Sequence, residues 1–255
     1  MLYGLYLSAQ GAEVQSFRQA VVANNIANAG TTSFKRDFAV VRSHEPYDVA
    51  HGSTNKVPDT LEQQTGGLSI EGTWTDFSQG ALTSTGNNFD VALVGPGFLQ
   101  VSDGTNTYLT RNGRMALNSD NGLVLGDTGH AVLATDGTPL TVPPNLSQLS
   151  INPEGLVAAV DLAGNRVPVG QIGVVEPQQT TDLVKEGKNL YRTLGPVNPV
   201  TETQIRQNTI EESDIDPMDE TVTLIETNRG FEMNMNMIRM QDEMLSRLLQ
   251  SASPA

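Results

Sequence analysis

The stretch that most constrains this chain is its last long run, Ile215 to Gln250. Asp216-Pro217 opens it. An aspartate at the cap accepts from free backbone N–H groups, and proline at the first helical position loses no needed donor. Asp219 and Glu220 put negative charge in the first turn, where the helix dipole favours it. No proline or run of turn residues follows until Ser251. Leu224, Phe231, Ile238 and Leu245 recur every seven residues, and Met235 and Leu249 fall on the same side. This is coiled-coil spacing over about four heptads, interrupted at Asn228 and Asp242. A helix of this length spans about 50 Å. It is too long and too one-sided to stand alone in water, so it needs a partner.

The other end of the chain supplies a candidate. Leu2 to Ala29 contains no proline, although Gly4 and Gly11 each weaken a helix by roughly 1 kcal/mol relative to alanine. Leu2, Tyr6, Ala9, Glu13, Ser16, Ala20, Ala23 and Ala27 alternate four and three apart, a stripe small enough for another helix to approach closely. The helix is expected to stop near Asn28-Ala29-Gly30. Residues 1–36 carry Glu13 against Arg18, Lys35 and Arg36, a net +2. Residues 205–255 carry ten acidic and four basic residues, a net −6, so the ends attract weakly. The expected fold is α+β: N- and C-terminal helices form an antiparallel coiled coil, with an all-β domain inserted between them. The same spacing equally suits two ordinary amphipathic helices packed on one globule.

Between the helices the texture changes. Thr31-Thr32-Ser33 reads as a turn and Phe34 to Val41 as extended chain. Residues 43–72 are rich in small polar residues and proline, and read as a long loop or arm. Thr73 to Thr83 suits two short strands about Gln79-Gly80. From Phe89 to about Leu194, short apolar runs alternate with turn pairs such as Asp103-Gly104, Asn112-Gly113, Asn121-Gly122 and Asp136-Gly137. Such pairs favour the positive φ of hairpin turns. Eight to ten strands are expected, with one spanning Val169 to Val175. The resulting division is 1–36 for the N-terminal helix, 37–84 for the arm and short strands, 85–194 for the β domain, and 195–255 for a linker and the C-terminal helix.

Composition narrows the chemistry. The net charge of −14 argues against nucleic-acid binding, which needs clustered lysine and arginine, and against anionic membrane surfaces. There is no cysteine, which removes disulfides, thiolate metal sites and cysteine nucleophiles. The start has no basic residue before Arg18 and no long apolar core, so it does not read as a Sec-type signal peptide, and no segment approaches the length of a membrane span.

Catalytic patterns are thin. His44, His51 and His130 lack metal-ligand spacing. Gly95-Pro96-Gly97 has Gln100 where a dinucleotide loop needs its third glycine. Asp214, Asp216, Asp219 and Glu220 lack the calcium-loop pattern and read as caps and solvated charge. A paired-carboxylate glycosidase is not dismissed by counting, but aromatics are only 5 % of residues, few for a carbohydrate-binding cleft. No catalytic, cofactor or metal residue is assigned. Six of the eight methionines lie on the C-terminal helix, on more than one face, which suits a helix with several neighbours.

Three motifs together resemble the flagellar hook/basal-body rod family. The first runs Ala23-Asn24-Asn25-Ile26-Ala27-Asn28 into Thr31-Thr32-Ser33-Phe34-Lys35, with Ser33 where the family pattern usually has glycine. The second runs Phe89-Asp90-Val91-Ala92-Leu93 through Gly97-Phe98-Leu99-Gln100-Val101 to Tyr108-Leu109-Thr110-Arg111-Asn112-Gly113. The third joins Glu211-Glu212-Ser213-Asp214-Ile215-Asp216 to Ile225-Glu226-Thr227-Asn228-Arg229-Gly230-Phe231-Glu232-Met233, with Asn228 in place of a usual glutamine. The length points to a rod protein of the proximal or distal subfamily, and Arg229 to Met233 leans toward the proximal one.

The resemblance implies a non-enzymatic subunit with no cofactor. It implies export by the flagellar type III apparatus without a cleaved signal. It also implies helical stacking with itself and other rod and hook proteins into the periplasm-spanning rod that carries torque from motor to hook. Neither nucleic acid nor membrane insertion is expected. Subunit packing would fall on Asn24, Asn25, Asn28, Phe34, Leu224, Phe231, Met235, Ile238, Leu245 and Leu249, and the 43–72 arm would reach a neighbour. The alternatives are a hook-class paralogue, or an acidic carbohydrate-acting enzyme with helical oligomerisation ends.

Overall fold

A computed structural model describes residues 2–43, 67–143, 146–161, 165–200 and 202–252. The chain forms two units. One comprises Met1–Ala29, Arg36–Phe77 and Ile215–Ala255; the other comprises Gly30–Lys35 and Ser78–Asp214. Terminal helices therefore accompany a mostly β middle, an α+β chain.

The helical unit holds α1 (Leu2–Ala27) and α2 (Pro217–Ala252). Met218 N donates to Asp216 Oδ1 at 2.8 Å, the expected cap. At the end of α1, the Asn24 carbonyl accepts from both the Asn28 N–H, at 3.2 Å, and Asn28 Nδ2, at 2.9 Å. The helices run antiparallel. Gly4 faces Gln241, Gly11 faces Asn234 and Gly230 faces Gln15, while Gln19 Nε2 donates to Asn228 Oδ1 at 3.2 Å. Each glycine thus meets an amide side chain of the other helix. A Cβ on Gly11 would stand 2.8 Å from Asn234 Oδ1.

This pairing corrects the expected α1 face. Tyr6, Ala9, Glu13, Ser16, Ala20, Ala23 and Ala27 are exposed, whereas Ser8, Ala12, Val14, Val21, Val22 and Asn25 are buried. The pattern of three and four was real, but the helix turns its glycines, not its alanine stripe, toward α2. On α2, Leu224, Phe231, Met235, Ile238 and Leu245 are half-buried, with Glu220, Thr227 and Gly230 deeper. Leu249 is exposed, as are Met218, Val222, Met233, Met237, Met240, Met244 and Leu248.

A two-stranded antiparallel sheet completes this unit. Asp37–Ser43 pairs with Leu68–Thr75, from Asp37↔Thr75 to Ser43↔Leu68, with a bulge between Val40 and Val41. Both strands pack on α1, since two strands alone hold poorly in water. Residues 68–72 were read as loop, yet the strand beside them gives their backbone a ladder. The rest of the expected arm, residues 44–66, lies outside the described residues, as do His44 and His51.

The β unit is built on a nine-stranded antiparallel sheet. Its path runs Leu183–Gly187, Leu190–Thr193, Thr107–Thr110, Phe98–Ser102, Ala131–Val132, Leu123–Leu125 and Met115–Leu117, with Val174–Pro177 and Val197–Pro199 joined at Phe98–Ser102. Leu146–Ile151, Leu156–Asp161 and Arg166–Gln171 make a three-stranded sheet. Val91–Val94 pairs with Gln204–Gln207, and Leu82–Ser84 with Thr209–Glu211. Inward residues of these strands, among them Val91, Leu93, Leu99, Val101, Leu125 and Val157, form one buried cluster with Ile172.

Twelve described strands lie between Val91 and Thr193, more than the eight to ten expected. Several are only two to four residues long and carry no clear alternation. The run from Val169 to Val175 is two strands, because Gly173 leaves its neighbours to donate to Leu133 O at 2.9 Å. Residues 195–214 are more than a linker, since three strands in them pair with the β unit. Asn112-Gly113 is no hairpin turn of the expected kind, because neither residue has positive φ. Gly113 instead lies flat against Val91, whose N–H donates to the Gly113 carbonyl at 2.9 Å, and a Cβ there would overlap the Val91 carbonyl.

The helix contact gives a graded expectation. Gly11→Ala gains about 1 kcal/mol of helix propensity and loses a similar amount against Asn234, for little net change. Gly11→Leu overpacks the contact and costs about 1–3 kcal/mol. Amide hydrogen exchange across α1 reads the difference; equal protection in both variants would show that the glycine face is not the contact.

Candidate functional site

The three motif segments meet inside the β unit. Lys35 from the first, Arg111 from the second and Glu211 from the third are all buried. Lys35 Nζ lies 2.5 Å from Glu211 Oε1 and donates also to the Ser78 carbonyl at 2.5 Å. Gly80 N donates to the same Glu211 oxygen at 2.9 Å. Arg111 Nη1 stands 3.6 Å from Glu211 Oε2, its Nη2 donates to the Gly95 carbonyl at 2.9 Å, and its guanidinium lies over the Phe98 ring. Burial pushes the Lys35 ammonium below the ordinary lysine range, against the pull of the Glu211 carboxylate. Removing one partner of such a centre strands the others as buried charge and costs about 3–5 kcal/mol.

The same centre fixes the turn before it. Ser33 has φ +56, the left-handed region that favours the glycine usual there in the family pattern. The turn is therefore kept, with serine accommodated. Its N–H donates to Glu211 O at 2.9 Å and its hydroxyl to Arg111 O at 2.9 Å. Asn189 Nδ2 donates to Thr32 O at 2.7 Å, and Lys185 Nζ donates to Lys35 O while lying over the Phe34 ring. Residues 32–35 are thus each held by contacts to the rest of the β unit. Phe34, expected between subunits, is buried inside the chain.

Asn25 is likewise used internally. Its Nδ2 donates to Asp37 O at 2.9 Å and its Oδ1 accepts from Asp37 N at 3.1 Å, so one amide imitates a strand partner at the head of Asp37–Ser43. It is 1 % exposed. Asn24 is exposed and Asn28 caps α1.

The acidic residues near α2 also have separate uses. Asp214 accepts from Ser78, Asp216 caps the helix, and Glu220 pairs with Arg36 at 2.5 Å. His130 packs edge-on against Tyr108. Among the described residues, the outward side of α2 exposes Met218, Val222, Met233, Met237, Met240, Met244, Leu248 and Leu249. Sequence reading missed the Lys35–Glu211–Arg111 centre. The only signal for it was a lysine and a glutamate at the heart of two motifs 176 positions apart.

Replacing Ser33 separates backbone strain from hydrogen bonding. Ser33→Gly relieves the left-handed strain while losing one buried hydrogen bond, and unfolding stability should change by less than about 1 kcal/mol. Ser33→Ala keeps the strain and leaves Arg111 O short of a donor, for a loss of about 1–3 kcal/mol. Denaturant unfolding distinguishes them, and an alanine variant as stable as the glycine one would refute this role.

Family comparisons agree with the placement of the motifs. Residues 5–35 match the flagella basal body rod protein model, residues 92–159 the flagellar hook protein FlgE/F/G D1 domain, and residues 206–251 the flagellar basal body rod FlgEFG protein C-terminal model. The flagellar basal-body rod protein FlgF of Caulobacter vibrioides is 35% identical over 83% of this chain and 82% of its own length. FlgG of Buchnera aphidicola subsp. Schizaphis graminum is 32% identical over 98% of this chain and 100% of its own. FlgG of Bacillus subtilis is 32% identical over 98% of each. With its charge centre drawn from all three motifs and relatives matched nearly end to end, this chain belongs to the flagellar basal-body rod protein family.

Proposed function

We propose that this chain is a structural, non-enzymatic subunit of the bacterial flagellar basal-body rod, stacking helically with itself and other axial proteins to carry torque. The observation that carries the reading is the outward side of α2. Met233, Met237, Met240, Met244 and Leu248 recur at intervals of four and three, and all are exposed. An apolar stripe of this length marks an interaction surface, and methionine adapts to several neighbours at once.

The helices of many copies then form the axial core. In it α1 and α2 wind as an antiparallel coiled coil, supported by the Gly4–Gln241 and Gly11–Asn234 contacts, seven residues apart in each helix. Leu224, Phe231, Met235, Ile238 and Leu245 serve the contact within the chain, while Leu249 and the methionines serve contacts between copies. The subunit reaches the rod through the flagellar type III apparatus without a cleaved signal, and resides in the periplasm-spanning basal body. Glycine–amide contacts in the seam suit that route, since they add little apolar burial to it. Among the described residues no helix is long and apolar enough to cross a membrane.

Met237→Asp with Met240→Asp should abolish rod assembly and swimming while changing the unfolding stability of the purified chain by no more than about 0.5 kcal/mol. Swimming cells with normal rods would contradict the assignment. Mass spectrometry of basal bodies stripped of their hooks should retain the chain; its departure with the hook would place it in the hook instead.

A further inference from the structure

Within the helical unit a pocket of about 280 Å³ opens between α1, the first turns of α2 and the start of Asp37–Ser43. Glu220 lines it and is itself 1 % exposed. Arg36 Nη2 reaches Glu220 Oε1, but Oε2 has no hydrogen-bond partner among the described residues. A buried carboxylate oxygen left in this way is costly. Val21, Val22 and Phe38 line the pocket beside it. The charged lining counts Arg18 and Arg36 against Asp37, Glu220 and Glu226, one negative in excess. Apolar walls around an unsatisfied carboxylate fit a side chain with an aliphatic stem and a cationic, multiply donating head, which is arginine.

Among the arginines of α2, Arg247 stands 4.0 Å from its own Glu243, and Arg229 is three residues from Glu226 on the pocket's own wall. Arg239 is exposed, has no ion pair among the described residues, and sits between the exposed Met237 and Met240. It lies sixteen residues along α2 from Thr223 of the pocket lining, about 24 Å on a straight helix. It cannot reach the pocket of its own chain. We propose that the pocket receives Arg239 of a second copy, with its guanidinium donating to Glu220 Oε2. The inference rests on the rod reading and specifies one of its contacts. Repeated head-to-tail from copy to copy, the contact is open-ended, the kind that builds a filament.

The chain has no cysteine, which makes cross-linking unambiguous. Full-length Thr223→Cys and Arg239→Cys chains are mixed under assembly conditions and treated with a bis-maleimide long enough to span an extended arginine side chain. Covalent dimers of twice 27.3 kDa are expected from the mixture. In parallel, Arg239→Ala and Glu220→Gln should each raise the critical concentration for assembly about tenfold, and the double variant should do no worse than either. If the mixture assembles without cross-linking and the two substitutions act additively or not at all, the contact is wrong while the rod reading stands. If the unaltered chain forms no filament, alone or with other axial proteins, the rod reading fails and this contact with it.

Discussion

Taking an ammonium, a guanidinium and a carboxylate out of water together is the constraint on which the β unit depends. Lys35, Arg111 and Glu211 come from segments far apart in the chain, and none is stable buried without the others. Apolar residues tolerate small shifts in partner; a buried lysine does not. The centre therefore brings the segment after α1, the strand that precedes α2 and the sheet turn at Arg111 into one register. Ser33 shows how strictly the register is kept, since a non-glycine residue holds a left-handed φ there with its hydroxyl turned to the same two strands.

The helical unit follows the opposite economy. Its internal seam sets glycine against amide, with Glu220 and Thr227 among the deepest positions, while Val222, Met233, Met237, Met240, Met244 and Leu248 are exposed. A self-sufficient helix pair would reverse this arrangement. Apolar side chains left exposed within one chain remain available for contacts between chains, the basis of the assembly proposed above.

Legibility in the sequence divides along the same line. Local signals were accurate: Asp216-Pro217 starts α2, Asn28 ends α1, and the short apolar runs become strands. The heptad positions Leu224, Phe231, Ile238 and Leu245 are half-buried. The face of α1 was misjudged because Gly4, Gly11 and Gln15 carry no apolar signature, so the alanine stripe looked like the better seam. Asn112-Gly113 was misjudged because a glycine needed for close approach to Val91 looks the same as one needed for a turn. The charge centre and the Asn25–Asp37 clasp were invisible for a different reason. Burial of Lys35 and Asn25 is decided by partners that only the folded chain brings near.

The most direct measurement is a double-mutant cycle on Lys35→Met and Glu211→Gln, followed by denaturant unfolding of the full chain. Each single change should cost about 3–5 kcal/mol, because each strands a buried charge. The double change should cost at least about 2 kcal/mol less than the sum of the two. Additive losses within about 0.5 kcal/mol would mean that the two side chains do not depend on each other, and that the β unit is held together by its apolar core alone.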